Sequence, residues 1–149
     1  MSSQTFVIVG AGLAGGTAAA TLREQSFDGR VVLIGEEPHP PYERPPLSKE
    51  YFREEQPFQD ALVHLSEFYA DNEIETRLGI NVLRVDPSRR AVELGGGERV
   101  PYDKALLATG SRNRRIPLPE LDLEGVFDLR TVEDCDLIRK EAVRAERQC

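Results

Sequence analysis

The chain has 149 residues, of which 40% are hydrophobic and 30% are charged. This length suits about one domain and excludes a complete multi-domain enzyme, while the composition excludes a disordered or collagen-like chain. Its 26 acidic and 19 basic residues give a net charge of −7. A net acidic chain has no overall field that attracts phosphates, so we expect neither nucleic acid nor a membrane surface as a partner.

The cysteines and one apolar run limit the location of the chain. Cys135 and Cys149 are too few for a disulfide framework or a structural zinc site, so we predict no metal and expect a cytoplasmic location. An uncharged run extends from Phe6 to Leu22, but four glycines interrupt it. This composition argues against a membrane span, and no basic residue precedes the run as in a signal peptide.

The first part of the chain predicts a β-α-β unit. Phe6–Val9 is a short apolar run typical of a buried strand, and Leu13–Gln25 is rich in alanine and leucine, as expected of a helix. Arg30–Ile34 supplies a second apolar strand. Strands of this kind are typical of a parallel sheet that is covered on both faces.

Proline then interrupts regular structure. The segment Glu36–Arg53 holds five of the ten prolines and predicts a shaped loop with a short helix near Leu47–Phe52. Phe58–Asn72 is expected to be partly helical, and Ile74–Leu78 is expected to be a strand that returns to the sheet.

The second half alternates short strands and turns. Ile80–Tyr102 predicts an antiparallel meander, with turns at Asp86-Pro87-Ser88 and at the triple glycine from Gly95 to Gly97. Lys104–Ala108 predicts a further strand, and Val132–Arg147 predicts an amphipathic helix. The predicted fold class is therefore α/β, a Rossmann-like parallel sheet plus a small antiparallel β-meander.

A glycine motif lies between the first predicted strand and helix. The sequence GAGLAG from Gly10 to Gly15 fits G-x-G-x-x-G, with Gly12 and Ala14 inside it, and Glu36 follows the last glycine by 36 − 15 = 21 residues. The first glycine permits a tight turn, the second lets a pyrophosphate approach, and the third lets helix and strand pack. An acidic residue at this distance can accept hydrogen bonds from ribose hydroxyls. The motif alone does not separate FAD from NAD.

Three further motifs resemble one family. The segments PYERPPLSK (41–49), LLATGS (106–111) and LRT (129–131) are similar to the amino-terminal part of the FAD-dependent ferredoxin reductases that serve Rieske oxygenases and bacterial cytochromes P450. These enzymes are relatives of the mitochondrial apoptosis-inducing flavoprotein. The resemblance covers nearly the whole chain. It departs at Asn113, where proline is frequent, and at Glu120, where glycine is frequent, both in a predicted linker.

The resemblance implies which residues bind the flavin. Arg44 would contact the adenosine or pyrophosphate, and Lys49 would lie at the isoalloxazine as the catalytic residue. A positive group there would stabilise the anionic reduced flavin. Taken on residue type alone, both cations could equally be solvated surface charges.

Further contacts are implied on later segments. The backbone of Val82 would lie against the adenine, and Arg130 would reach the flavin nucleotide. The small residues that close a strand at its carboxyl end would allow the cofactor close approach: Ala108, Thr109 and Gly110.

The resemblance also implies an activity and a domain arrangement. A nicotinamide, NAD(P)H, would reduce FAD, which would pass electrons directly to a ferredoxin, because the chain has no cysteine pair for disulfide chemistry. Residues 1–111 would be the amino-terminal part of the FAD-binding domain, and residues 112–149 a linker and first helix that lead towards an absent NAD(P)-binding domain. We therefore expect a portion of a larger reductase that is inactive alone. The alternative is a non-catalytic flavin- or nucleotide-binding module that acts through association.

Overall fold

The computed structural model describes residues 4–114, 117 and 123–146. The chain divides into two compact units, of which the first comprises the residues up to Glu43 together with Leu62–Gly110. The second comprises Arg44–Ala61 and the residues from Ser111 onward. Three residues of the sequence interpretation lie outside the described residues: Glu120, Arg147 and Cys149.

A four-stranded parallel sheet lies in the first unit. Its strands are β1 (Thr5–Val9), β2 (Arg30–Ile34), β3 (Ile74–Arg77) and β7 (Lys104–Leu107), in the spatial order β3-β2-β1-β7. Helix α1 (Leu13–Glu24) connects β1 to β2, which confirms the predicted β-α-β unit. Val9 is in register with Ile34 and with Leu107. The carboxyl ends of β1, β2 and β7 therefore meet at one edge of the sheet.

A second sheet of three antiparallel strands confirms the predicted meander. Its strands β4 (Val82–Asp86), β5 (Ala91–Leu94) and β6 (Arg99–Pro101) pair in chain order. The Asp86 carboxylate accepts the backbone N–H groups of Ser88 and Arg89 at 3.0 and 3.1 Å and closes the first turn. In the second turn Gly96 and Gly97 have φ values of +98° and +88°, a conformation that favours glycine.

The parallel sheet is buried on both faces along β1 and β2. Side chains of one face, Val7, Val9, Val32 and Ile34, pack against the antiparallel sheet, which contributes Val92, Leu94 and Val100. Side chains of the other face, Ile8, Val31 and Leu33, pack against Ala19 of α1 and Tyr69 of α2 (Ser66–Asp71). Alternate residues of each strand thus enter opposite cores, which is why both strands are apolar throughout.

Strand β7 is apolar without being buried. Its four residues are all exposed, with Leu106 at 44% and Leu107 at 63%. It forms one edge of the sheet beside β1, and the exposure of all four residues shows that the described residues cover neither of its faces.

The second unit contains two 3-10 helices, Pro45–Ser48 and Phe58–Ala61, and the helix α3 (Val132–Glu146). The predicted short helix near Leu47–Phe52 begins instead at Pro45 and is a 3-10 helix, followed by turns. Proline suits the first positions of a helix, where its fixed φ is already correct and its missing N–H would have no partner.

The described residues lack two further features. No helix in this part of the chain has the length and apolar character that crossing a membrane requires. The same residues contain no group of three or more His, Cys, Asp or Glu side chains placed to hold a metal ion.

Candidate functional site

The turn between β1 and α1 requires glycine at its first position. Gly10 has a φ of +113°, and its N–H donates to the carbonyl of Ile34 at 2.8 Å. A Cβ atom at Gly10 would lie 2.1 Å from the carbonyl oxygen of Ala108. The conformation and the close approach of β7 therefore both exclude a side chain here.

Gly15 is also required by packing. It is buried in the first turn of α1, and a Cβ atom there would lie 1.8 Å from the Gly10 carbonyl oxygen. Helix and strand can approach closely only because this position has no side chain. Gly10 and Gly15 are thus explained by the fold alone.

Gly12 is different, because a Cβ atom there would meet nothing within 4 Å. It is the N-cap of α1, with φ −92° and ψ −168°, an extended conformation that any residue adopts. The first N–H groups of a helix lack partners within the helix and attract anions. Open space at this end, next to the exposed Ala14, can accommodate a phosphate group.

The end of β7 meets the same edge of the sheet. The N–H of Ala108 donates to the Val9 carbonyl at 2.7 Å, and Thr109 and Gly110 beyond it are exposed. Gly110 has a φ of +69°, so the chain turns away directly after the strand. Three of the residues that we predicted for the cofactor therefore follow the strand next to the glycine turn.

Glu36 and the start of β4 are held near each other by backbone hydrogen bonds. The N–H of Gly35 donates to the Arg77 carbonyl at 2.9 Å, and the Gly35 carbonyl accepts the N–H of Ile80 at 2.9 Å. Val82 follows this contact and lies half-buried against the first core. The exposed Glu36 is thus near the segment that leads into β4, at the carboxyl edge of the sheet.

The close contacts of two further glycines of this region were not predicted from the sequence. A Cβ atom at Gly35 would lie 2.5 Å from the Cβ of Ala11 in the glycine turn, and one at Gly16 would lie 2.5 Å from Pro41. The position of Gly35 directly after an apolar strand was a usable signal. The contact of Gly16 with Pro41 joins residues that are distant in sequence, so no local pattern in the sequence indicated it.

In the second unit the structure brings Arg44 and Arg130 together. The Nη1 atom of Arg44 donates to the backbone carbonyl of Arg130 at 2.8 Å, and both residues are half-buried. Lys49 ends the first 3-10 helix, its N–H donates to the Pro46 carbonyl at 3.0 Å, and the residue is exposed. The Arg44 side chain is therefore held in part by the protein backbone.

Helix α3 packs on the first 3-10 helix through Cys135. The Cys135 side chain is completely buried, its Sγ donates to the Leu47 carbonyl at 3.2 Å, and burial raises the pKa of the thiol. Thiols react as thiolates, so a raised pKa makes this cysteine inert. The neighbouring Tyr51 donates to Asp136 at 2.7 Å, and burial together with that hydrogen bond raises the pKa of Tyr51 to about 12. These groups serve the structure rather than proton transfer.

Within each unit, then, the predicted residues are brought together. The first unit gathers its set at the carboxyl edge of the parallel sheet: Gly10, Gly12, Ala14, Gly15, Glu36, Val82, Ala108, Thr109 and Gly110. The second unit places Arg44 on Arg130, with Lys49 five residues further along the same segment. The roles of all these residues toward a cofactor stay predictions.

The chain is similar to known proteins in sequence and in fold. The pyridine nucleotide-disulphide oxidoreductase family matches residues 4–148. The ferredoxin–NAD(+) reductase component of a 3-phenylpropionate/cinnamic acid dioxygenase from Photorhabdus laumondii is 45% identical over 99% of this chain and 37% of its own length. The resemblance to ferredoxin reductases is confirmed by this relative.

Solved structures agree in fold. The ferredoxin reductase for the CYP199A2 system from Rhodopseudomonas palustris has a TM-score of 0.88 and 34% identity, over 95% of this chain and 35% of its own. The reductase in a covalent putidaredoxin reductase–putidaredoxin complex has a TM-score of 0.84 and 32% identity, over 95% and 34%. The chain spans about a third of the length of these relatives. Because the family match covers nearly the whole described fold, including the glycine turn, this chain belongs to the pyridine nucleotide-disulphide oxidoreductase family.

Proposed function

We propose that this chain is the FAD-binding amino-terminal portion of an NAD(P)H-dependent ferredoxin reductase. Bound FAD would supply the redox chemistry, accepting two electrons from NAD(P)H and passing them singly to an iron–sulfur ferredoxin. Support comes from the names of the relatives, which are reductase components that act with ferredoxins. On this proposal residues 1–111 belong to the FAD-binding domain, and residues 112–149 lead towards the NAD(P)-binding domain.

One observation carries the proposal, the open space at Gly12. Gly10 and Gly15 lack side chains because the protein backbone fills those positions, but nothing in the described chain fills the position next to Gly12. The space lies at the amino end of a 12-residue helix, where backbone N–H groups favour an anion. A pyrophosphate fits both the space and the charge preference.

The residues around this turn would hold the adenosine half of FAD. The carboxylate of Glu36 would accept hydrogen bonds from the ribose hydroxyls and repel a 2′-phosphate, and the backbone of Val82 would contact the adenine. The small residues after β7 would let the cofactor lie close to the sheet edge: Ala108, Thr109 and Gly110.

The cationic residues of the second unit would bind the phosphates and the flavin ring. Arg44 presents a planar guanidinium suited to phosphate oxygens, and Arg130 would contact the same nucleotide. Lys49, exposed at the end of the 3-10 helix, would lie at the isoalloxazine. Its positive charge would favour the anionic reduced flavin. Lys49 would therefore be the residue that acts most directly on the redox reaction.

The partners and location follow from the same proposal. NAD(P)H would be the co-substrate of the complete enzyme and ferredoxin its electron acceptor. The net charge of −7 gives no attraction for nucleic acid or anionic lipid. With so few cysteines, a reducing cytoplasm is the compartment that we infer.

The direct test titrates the parent chain and the Gly12→Ser variant with FAD. Flavin fluorescence measures how much FAD is bound. Serine is a good N-cap, so the unfolding temperature should be unchanged or higher. Its side chain would occupy the phosphate position, and we expect FAD affinity to fall by about tenfold or more. Gly95→Ser is the matched control, because a Cβ atom there makes only ordinary contacts, the nearest at 3.6 Å, and its FAD affinity should not change.

Two outcomes would contradict the proposal. A parent chain that takes up no FAD would remove the flavoprotein assignment. Equal FAD affinity in Gly12→Ser and the parent would show that the open space is not the pyrophosphate site.

The electron-transfer part of the proposal is tested separately, by NADH-dependent reduction of a dye by the FAD-loaded chain. The sequence contains one G-x-G-x-x-G motif, which we assign to FAD, so no comparable site would position the nicotinamide against the flavin. We expect no saturation with NADH. Saturation at micromolar NADH with a turnover above about 1 per second, within the usual range of enzymes, would show that this chain is sufficient for catalysis.

A further inference from the structure

We propose that Asp134 is a positioning residue for FAD binding, which it would serve by fixing Arg130 and, through it, Arg44. The inference rests on the proposed function, because it takes both arginines as contacts of the flavin nucleotide. It assigns a role in FAD binding to Asp134, a residue that would itself touch no cofactor atom.

Asp134 closes the amino end of α3. Its Oδ2 atom accepts the N–H of Arg130 and the N–H of Thr131, each at 2.9 Å. In return the N–H of Asp134 donates to the Thr131 hydroxyl at 3.2 Å. This reciprocal arrangement is a capping box, in which the two residues satisfy each other's backbone groups.

The peptide group between Arg130 and Thr131 is held from both sides. Its N–H, which belongs to Thr131, donates to the Asp134 carboxylate, and its carbonyl, which belongs to Arg130, accepts Nη1 of Arg44 at 2.8 Å. An anion on the donor side and a cation on the acceptor side polarise the same amide in the same sense, so each hydrogen bond strengthens the other. The carboxylate thereby fixes the carbonyl on which the Arg44 guanidinium rests.

The backbone of Arg44 is attached to α3 as well. The Arg44 carbonyl accepts the N–H of Leu47 at 3.1 Å, and the Leu47 carbonyl accepts Sγ of Cys135 at 3.2 Å. The guanidinium of Arg44 is therefore held by a residue just before α3, and its backbone is linked to α3 through Leu47. A guanidinium held in this way loses less conformational entropy on binding a phosphate than a free side chain does.

This arrangement also determines which hydrogen-bond donors are available to bind an anion. Because Asp134 occupies the N–H groups of Arg130 and Thr131, these amides at the amino end of α3 are not available to a phosphate. Attraction for the nucleotide in this unit then rests on the arginine side chains, and Asp134 acts on that of Arg44 through the backbone carbonyl of Arg130.

The test compares FAD affinity in Asp134→Ala, Asp134→Asn and Glu141→Ala. The asparagine oxygen can accept the same two N–H groups, so we expect Asp134→Asn to stay within about threefold of the parent, and Asp134→Ala to bind about tenfold more weakly. Glu141→Ala removes an equal charge from the same helix, at a surface pair with Arg144 at 3.6 Å, and should leave affinity unchanged.

A double-mutant cycle separates positioning from a general loss of structure. If Asp134 acts through Arg44, then Asp134→Ala should change FAD affinity by less than about twofold in an Arg44→Ala background. Hydrogen exchange of the Thr131 amide, measured without FAD, should be protected in the parent and in Asp134→Asn and fast in Asp134→Ala.

The outcomes are distinguishable. A parent chain that takes up FAD while Asp134→Ala binds it equally well would overturn the inference and leave the proposed function standing. Additive effects of Asp134→Ala and Arg44→Ala would also overturn it. A parent chain without FAD affinity would overturn the proposed function, and the inference with it.

Discussion

Replacing Arg23 should destabilise the fold more than any surface charge change. Its guanidinium donates to four backbone carbonyls, those of Phe27 and Gly29 at 2.7 and 2.8 Å and those of Asn72 and Glu73 at 2.8 and 2.7 Å. These carbonyls belong to the turn after α1 and the turn before β3. One side chain thus joins two connections that lie about 45 residues apart in the sequence (72 − 27 = 45).

The magnitude follows from the number and burial of these bonds. A hydrogen bond to a charged group contributes roughly 1.5–3 kcal/mol, but water can reach half-buried carbonyls and contacts that share one side chain are not additive. We expect Arg23→Ala to lower the free energy of unfolding by about 2–4 kcal/mol. Arg23→Lys keeps the charge without the planar fork and should recover about half of that loss.

Urea denaturation at neutral pH measures the effect. Arg84→Ala is the control, because the Arg84 side chain is 68% exposed and lies 3.9 Å from its partner Asp86. Exposed pairs of this kind contribute about 0–1 kcal/mol. If Arg23→Ala changed the free energy of unfolding no more than Arg84→Ala does, water would replace the four contacts at no cost, and the reasoning would be refuted.

Two further predictions concern carboxylates. Burial raises the pKa of Glu75, but hydrogen bonds from Arg30 and Arg77 outweigh it and hold that pKa below its ordinary value. Because the folded pKa is the lower one, this stabilisation is present at neutral pH and is lost as the pH falls through it. Glu75→Gln should therefore unfold at lower urea concentration than the parent at about pH 7, and this difference in midpoint should shrink as the pH falls below the ordinary range of a glutamate pKa. Glu36→Gln should narrow the preference for FAD over NADP in calorimetric titrations, since the carboxylate repels a 2′-phosphate; tighter NADP binding by the parent would contradict the assignment of Glu36 to the ribose.

The local parts of the fold were predictable because they depend on neighbouring residues. The β2 strand was predicted with its observed ends, Arg30 and Ile34, since five residues that alternate between two cores must all be apolar apart from the first. The turns of the meander were predictable for a similar reason, because Asp86 caps its own turn and the triple glycine permits positive φ. Such signals need no knowledge of the rest of the chain.

Contacts between distant segments were not predictable in the same way. The sequence of β7 is as apolar as that of a central strand, and only the structure shows that Leu106 and Leu107 are exposed at an edge of the sheet. Arg23 follows the uncharged run Phe6–Leu22 directly, and nothing at that position in the sequence indicates that its side chain holds carbonyls of two turns. Cys135 gave no signal of its contact with Leu47, because a buried thiol and a backbone carbonyl leave no pattern in the sequence.

The glycine motif shows where the structure adds most to the sequence. The sequence does not distinguish Gly10, Gly12 and Gly15, which are three positions of one motif. A turn without a ligand would explain that motif as well as a cofactor site would. The structure separates them, because backbone atoms occupy the Cβ positions of Gly10 and Gly15 while that of Gly12 is open. Folding alone therefore constrains two of the three glycines. Packing of the described residues does not require the third, so substitution at Gly12 separates the proposed ligand binding from stability.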